Sequence, residues 1–203
     1  YSFIDYNFIS NILFTLEQLA WHEDYIVQCI RCLGALESLP YEHTNWANTP
    51  INTIINILSP VMPQTCAPIE KQKNSIQALK IDHIEIYWKV LMKLLPNINS
   101  ITIIGTSRPK YLNINISEVV SITDENRYEL FQYYIQQALS IVGTSNTKLM
   151  QLAELISYMK DEEIISLFKK IIDSSLSWND DEKCDMWIKL CDLKFQTILD
   201  NEK

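Results

Sequence analysis

The stretch IVQCIRCLGAL, residues 26–36, decides the fold. Ile26, Cys29, Ile30, Leu33 and Leu36 recur at intervals of three and four, which lines one face of an α-helix instead of alternating across a strand. The same stretch holds Cys29-x-x-Cys32, a spacing used by redox centres and by half of many zinc sites. Redox use needs the first cysteine at a helix N-terminus, whereas this pair falls in the middle of a helix. Zinc needs two more ligands, and the chain has neither a second Cys-x-x-Cys nor a pair of histidines. Both thiols continue the apolar stripe and read as packed core residues.

Outward from this helix the same period returns. Tyr87, Val90, Leu91 and Leu94 make a second stripe, and Phe131, Tyr134, Ile135, Ala138 and Val142 a third. Leu149, Leu152, Ala153, Ile156 and Met159 make a fourth; Ile164, Ile165, Phe168, Ile171 and Ile172 a fifth; Cys184, Ile188, Cys191, Phe195 and Ile198 a sixth. Start and stop signals agree with them. Thr49-Pro50 is an N-cap followed by proline in the first turn, Ala67-Pro68 opens a helix in the same way, and Asp82, Asp124, Asp161 and Asn179 or Asp180 are expected caps. Gly143 sits where a helix should end. The expected helices are 5–20, 23–38, 50–58, 68–80, 83–95, 125–142, 147–159, 162–173 and 181–200. Only three glycines occur, too few for the tight turns of a β-sandwich.

The predicted fold class is therefore all-α: an irregular array of α-α hairpins, a HEAT-like or TPR-like solenoid with degenerate repeats. Residues 97–122 interrupt it. They are rich in Ile, Asn, Ser and Thr, hold Gly105 and Pro109 and lack a helical period, so they read as a long ordered loop in which residues 100–104 could extend. The expected organisation is 1–96 as N-terminal hairpins, 97–122 as the loop, and 123–203 as a C-terminal bundle packed on the first part.

The 203 residues carry a formal net charge of −8. An acidic chain argues against a nucleic-acid backbone or an anionic membrane surface as its partner. No apolar run reaches the roughly 18 to 20 residues that span a bilayer. Five cysteines without framework spacing fit a reducing cytoplasm. The chain begins at Tyr1, directly in helix-like sequence, and reads as a piece of a longer protein.

Chemistry-bearing patterns are sparse. Three glycines cannot write either phosphate-binding loop, so no nucleotide cofactor is expected. His22, His43 and His83 are isolated, and no metal set is expected. The acidic runs Asp161-Glu162-Glu163 and Asp180-Asp181-Glu182 stand at helix starts, where carboxylates favour the dipole. The proline-rich segment 45–68 is the one place where reactive and polar residues gather. Pro60 and Pro63 end one helix and keep it from merging with the next. Asn45, Trp46, Asn48 and Gln64 are interaction candidates there, and Arg108 joins them as a group able to grip a carboxylate with two parallel hydrogen bonds. Cys66, just before a helix, with His43 and Gln64 defines the alternative reading, a hydrolase-like site. No catalytic residue is assigned.

Leu19-Ala20-Trp21, Asn45-Trp46-Ala47-Asn48, Pro63-Gln64-Thr65, Leu94-Leu95-Pro96, Arg108-Pro109-Lys110 and Met186-Trp187 follow in an order that resembles the C-terminal helical region of a family of large bacterial proteins. These are multidomain NTPase-type or sirtuin-type proteins, several suspected of acting in anti-phage defence. The chain departs from that pattern in the Ile-rich loop before Arg108 and at Tyr111, where a Trp is common. The resemblance implies a sensor or regulatory arm whose enzyme lies elsewhere in the parent protein. The expected activity is thus non-enzymatic, a contact with another protein or another domain of the same parent chain in the cytoplasm. A purely structural spacer is the remaining alternative, and the oligomeric state is left open.

Overall fold

Helix ends follow local chemistry. In the computed structural model, which describes residues 6–39, 48–96 and 123–201, Thr49 is extended and its Oγ1 accepts the backbone N–H of Asn52 at 3.3 Å. Pro50 occupies the first turn behind it, where a missing N–H costs nothing. The described residues are all-helical, with no strand among them: α1 Tyr6–Ala20, α2 Ile26–Glu37, α3 Pro50–Leu58, α4 Ile69–Asp82, α5 Ile84–Leu94, α6 Asp124–Ile141, α7 Asn146–Ala153, α8 Asp161–Ser175 and α9 Asp180–Asn201, with a 3-10 turn at Ile156–Tyr158.

Gly143 takes φ of +63° directly after α6, the left-handed conformation that an L-residue with a Cβ adopts only with strain. Asn179 and Glu182 form a reciprocal capping box on α9: Asn179 Oδ1 accepts from Glu182 N at 2.9 Å, and Glu182 Oε2 accepts from Asn179 N at 3.0 Å. Four expected starts shift: Asp161 is already helical behind the cap Lys160, and Pro68 is itself the cap of α4 instead of a first-turn residue. Asp82 is the last residue of α4, not the cap of α5, and it pairs with Arg31 instead. At α6 the capping oxygen belongs to Thr123, which accepts from Asn126 N at 3.2 Å, while Asp124 is already helical. The expected helix 147–159 also stops early: α7 gives way to the 3-10 turn. Leu149, Leu152, Ala153 and Met159 stay buried across the break.

The described residues fall into two compact units, divided within α6 after Phe131, with Leu95 and Pro96 counted in the second. In the first, α1 packs on α2 and α3, α2 on α3 and most extensively on α4, and both α3 and α4 pack on α5. Helices thus touch their next-but-one neighbours as well as adjacent ones. Leu13, Ile26, Ile30, Leu33, Ile54, Ile57, Leu58, Ile76, Leu79, Tyr87 and Leu91 are sealed in this core. Each such side chain contributes about 1.5–3 kcal/mol by leaving water.

Helices α2 and α4 run in the same direction. Lys71, early in α4, reaches Asp24 Oδ1 at 3.0 Å and Glu23 Oε2 at 3.1 Å just before α2, while at the far ends Ser38 Oγ lies 3.1 Å from His83 Nδ1. Between them Arg31 Nε donates to Asp82 Oδ2 at 2.9 Å. Gly34 allows the close approach: a Cβ there would stand 2.5 Å from Leu79 Cδ2 and 3.0 Å from His83 Cδ2.

In the second unit α7 packs on α8 and α9. Trp178, 7% exposed, donates from Nε1 to Thr144 O at 3.0 Å, and Asn146 Nδ2 donates to Glu182 O at 2.6 Å, which ties the start of α7 to the start of α9. Lys189 Nζ closes on Glu154 Oε1 at 2.5 Å.

The fifth and sixth stripes do not match the core. In α8 the buried positions are Glu163, Leu167, Ile171 and Ser174, whereas Ile165 and Ile172 are 69% and 64% exposed. In α9 Met186 is buried, while Cys184 and Ile188 are exposed. The side chains of Phe195 and Ile198 lie outside the described residues.

Candidate functional site

The corner between α3 and α4 is built from backbone bonds. Ser59 ends α3 and its Oγ accepts from the N–H groups of Val61 and Met62, both at 3.3 Å, which turns the chain away from the helix axis. Gln64 N then donates to Asn56 O at 3.2 Å. Thr65 Oγ1 donates to Ala20 O at 2.7 Å and accepts from Ala67 N at 3.1 Å, and Cys66 N donates to Trp21 O at 3.0 Å. Gln72, in the first turn of α4, donates from Nε2 to Ala67 O at 2.9 Å. These bonds satisfy carbonyls left open where α1 ends. Ser59, Gln64, Thr65, Ala67 and Gln72 are all buried.

Of the residues singled out in the sequence, Asn48 is exposed beside the cap of α3, Gln64 is buried inside the corner, and Cys66 is half-buried. Asn45, Trp46, His43 and Arg108 lie outside the described residues, as does the expected loop 97–122 with its extended stretch. The described part of the corner ties Gln64 to Asn56 of α3 and Cys66 to the end of α1.

The Cys29–Cys32 pair separates. Cys29 is buried on the α2 stripe, and burial, with the neighbouring Cys32 adding to it, pushes its thiol up to about 11. Cys32 is exposed and does not belong to the core. His22 Nδ1 accepts the backbone N–H of Asp24 at 3.2 Å, a local turn contact, and its ring lies 5.1 Å from that of Tyr25. His83 caps α4 through its backbone. Lys71, by hydrogen bond and charge, holds the Asp24 carboxyl below the usual carboxylate range, and is itself raised by Asp24 and Glu23.

A groove of about 310 Å³ in the second unit is bordered by Gln136, Ser140, Glu162, Glu163, Ser166 and Lys170. Its central carboxylate already has partners: Glu163 Oε2 accepts from Lys160 N at 2.9 Å and Oε1 from Gln136 Nε2 at 3.3 Å. Glu163 thus closes the N-terminus of α8. Among the described residues no cluster of three His, Cys, Asp or Glu side chains could hold a metal ion, and no helix is long and apolar enough to cross a membrane.

The surface feature that sequence reading missed is on α8. Ile165, Phe168, Ile172 and Leu176, the last being the C-cap, are exposed by 69%, 37%, 64% and 88%. Their spacing of three, four and four places them along one line. That line faces away from Leu167, Ile171 and Ser174, so α8 is apolar on two faces and buries one. Single exposed apolar residues are ordinary; four aligned on one helix form a patch. The signal was present in the sequence as the excess width of the fifth stripe.

No family model matches the chain, and neither a curated protein nor a solved structure matches it.

Proposed function

We propose that this chain is a non-enzymatic helical segment of a larger cytoplasmic protein that makes protein–protein or interdomain contacts. The outward stripe of α8 carries the reading, because an aligned apolar face on an otherwise charged helix loses free energy in water until another protein surface covers it. The packing of the first unit supports a short hairpin array of the HEAT or TPR kind, since contacts between next-but-one helices running in the same direction are how such arrays propagate. The resemblance to the helical region of large bacterial NTPase-type or sirtuin-type proteins adds a role as sensor or regulatory arm. Within that reading the prolines and amides of segment 48–68 shape the corner between hairpins.

The test is site-directed photo-crosslinking in cells that express the protein. A benzophenone amino acid in place of Ile172 is expected to yield discrete protein adducts, and one in place of Glu70, whose side chain is 76% exposed on α4, is expected to yield none. A spacer without a contact surface would give no adduct from either position, and that result would remove the reading.

A further inference from the structure

Helix α1, YNFISNILFTLEQLA, carries a single side chain that is charged at neutral pH, Glu17, and α3, PINTIINIL, carries none. Glu17 nonetheless stands against α3: it and Thr53 are both buried, and the Thr53 hydroxyl is its one hydrogen-bond partner among the described residues. It makes no ion pair there. The cations of the neighbouring elements are engaged elsewhere, Arg31 of α2 with Asp82, Lys71 of α4 with Glu23 and Asp24, and Lys93 of α5 with Asn52 Oδ1. The remaining titratable groups of α2 are Cys29, a thiol that burial keeps neutral, the exposed Cys32, and Glu37 at its last residue; the corner after α3 adds Cys66. An ionised carboxylate in this place exchanges water for one hydroxyl, so ionisation opposes the docking of α1.

The helix is also placed to move alone. Among the described residues α1 packs on α2 and α3, whereas α2, α3, α4 and α5 pack on one another as well and keep a core of their own when α1 leaves. Local opening draws on elements of this kind. The C-terminal end of α1 is tethered, because the carbonyls of Ala20 and Trp21 accept from Thr65 Oγ1 and Cys66 N. We infer that α1 is a proton-linked arm, docked on α2 and α3 with Glu17 protonated and opening about its tethered end as that carboxyl ionises. Opening exposes Ile9 and Leu13, which the docked arm buries. Docking is firmest below about 4.5, the ordinary value that Glu17 regains in the open arm, and weakens as pH rises through the higher value of the docked state.

Amide hydrogen exchange of the whole chain between about pH 4 and pH 7.5, expressed as protection relative to an unstructured peptide at each pH, tests this. The amides of Leu13 and Leu16 in α1 are expected to be at least about tenfold less protected at pH 7.5 than those of Ile30 in α2 and Leu79 in α4, as an opening of α1 alone requires. From pH 4 to pH 7.5 the α1 amides should lose protection by at least about threefold, at no more than about tenfold for each pH unit, the slope of one proton. In Glu17→Gln, which keeps an acceptor for Thr53 and removes the charge, that loss should disappear. Thr53→Val takes away the one partner of the ionised form and should speed α1 exchange more at pH 7.5 than at pH 4. Equal protection in α1 and in the α2 and α4 amides at pH 7.5, a loss with pH that persists in Glu17→Gln, or an effect of Thr53→Val that is the same at both pH values overturns the inference.

Discussion

At the scale of single residues, Glu17 is a carboxylate buried in the core of the first unit. It lies in α1, is 6% exposed, and accepts a hydrogen bond from the Thr53 hydroxyl at 3.1 Å. Burial raises its carboxyl above the ordinary value of 4.5, and the Thr53 bond opposes that only in part. A raised folded-state value means folding favours the protonated form. The stability this group contributes is therefore present below about 4.5 and lost as pH rises through the folded-state value. Glu17→Gln should melt higher than the parent at pH 7, and the difference should vanish at pH 4; equal melting temperatures at both pH values would contradict it. Thr49 and Asn179 were legible as local signals because their partners lie within three residues, and Gly143 because its positive φ needs no partner. Glu17 was not, because its partner is 36 residues away and only the packing of α1 on α3 brings them together.

At the scale of elements, helix positions were legible and helix faces only partly so. A period of 3.6 identifies a helix from its own residues, but which side is buried depends on what packs there. In α2 the two coincide, because Ile26, Cys29, Ile30 and Leu33 face α3 and α4. In α8 they diverge. The expected stripe of Ile164, Ile165, Phe168, Ile171 and Ile172 straddles a buried face and an exposed one, and the packing of α7, with Gln136 of α6 on Glu163, decides which is which. The α2–α4 contact depends in turn on Gly34, whose role could not be read without Leu79 and His83. Gly34→Ala gains helix propensity of about 1 kcal/mol but forces a methyl group onto the fully buried Leu79, an overpacking cost of about 1–3 kcal/mol. The net expectation is a loss of about 1 kcal/mol in urea unfolding, with the helical content unchanged. A more stable variant would show that α2 and α4 are not held as closely as described.

At the scale of the whole molecule, the all-helical class was legible from composition and period, since few glycines and repeated apolar stripes leave little else to build. The division into two units within α6 was not, because the continuous stripe of Phe131, Tyr134, Ile135, Ala138 and Val142 gives no sign of where one core ends. The expected site was legible only as a corner: Gln64 binds backbone within α3, and Thr65 and Cys66 bind backbone at the end of α1. The surface that matters in this account lies on α8, where the sequence suggested core. Ile172 and Leu176 face water in the isolated chain. Urea unfolding of I172Q/L176Q, set beside Leu167→Ala and run at dilution, tests this most directly. The expected change is within about 0.5 kcal/mol for the double variant, as for surface positions, against a loss of about 2–5 kcal/mol for Leu167→Ala. A loss in the double variant as large as that of Leu167→Ala would place the stripe in the core and contradict the account.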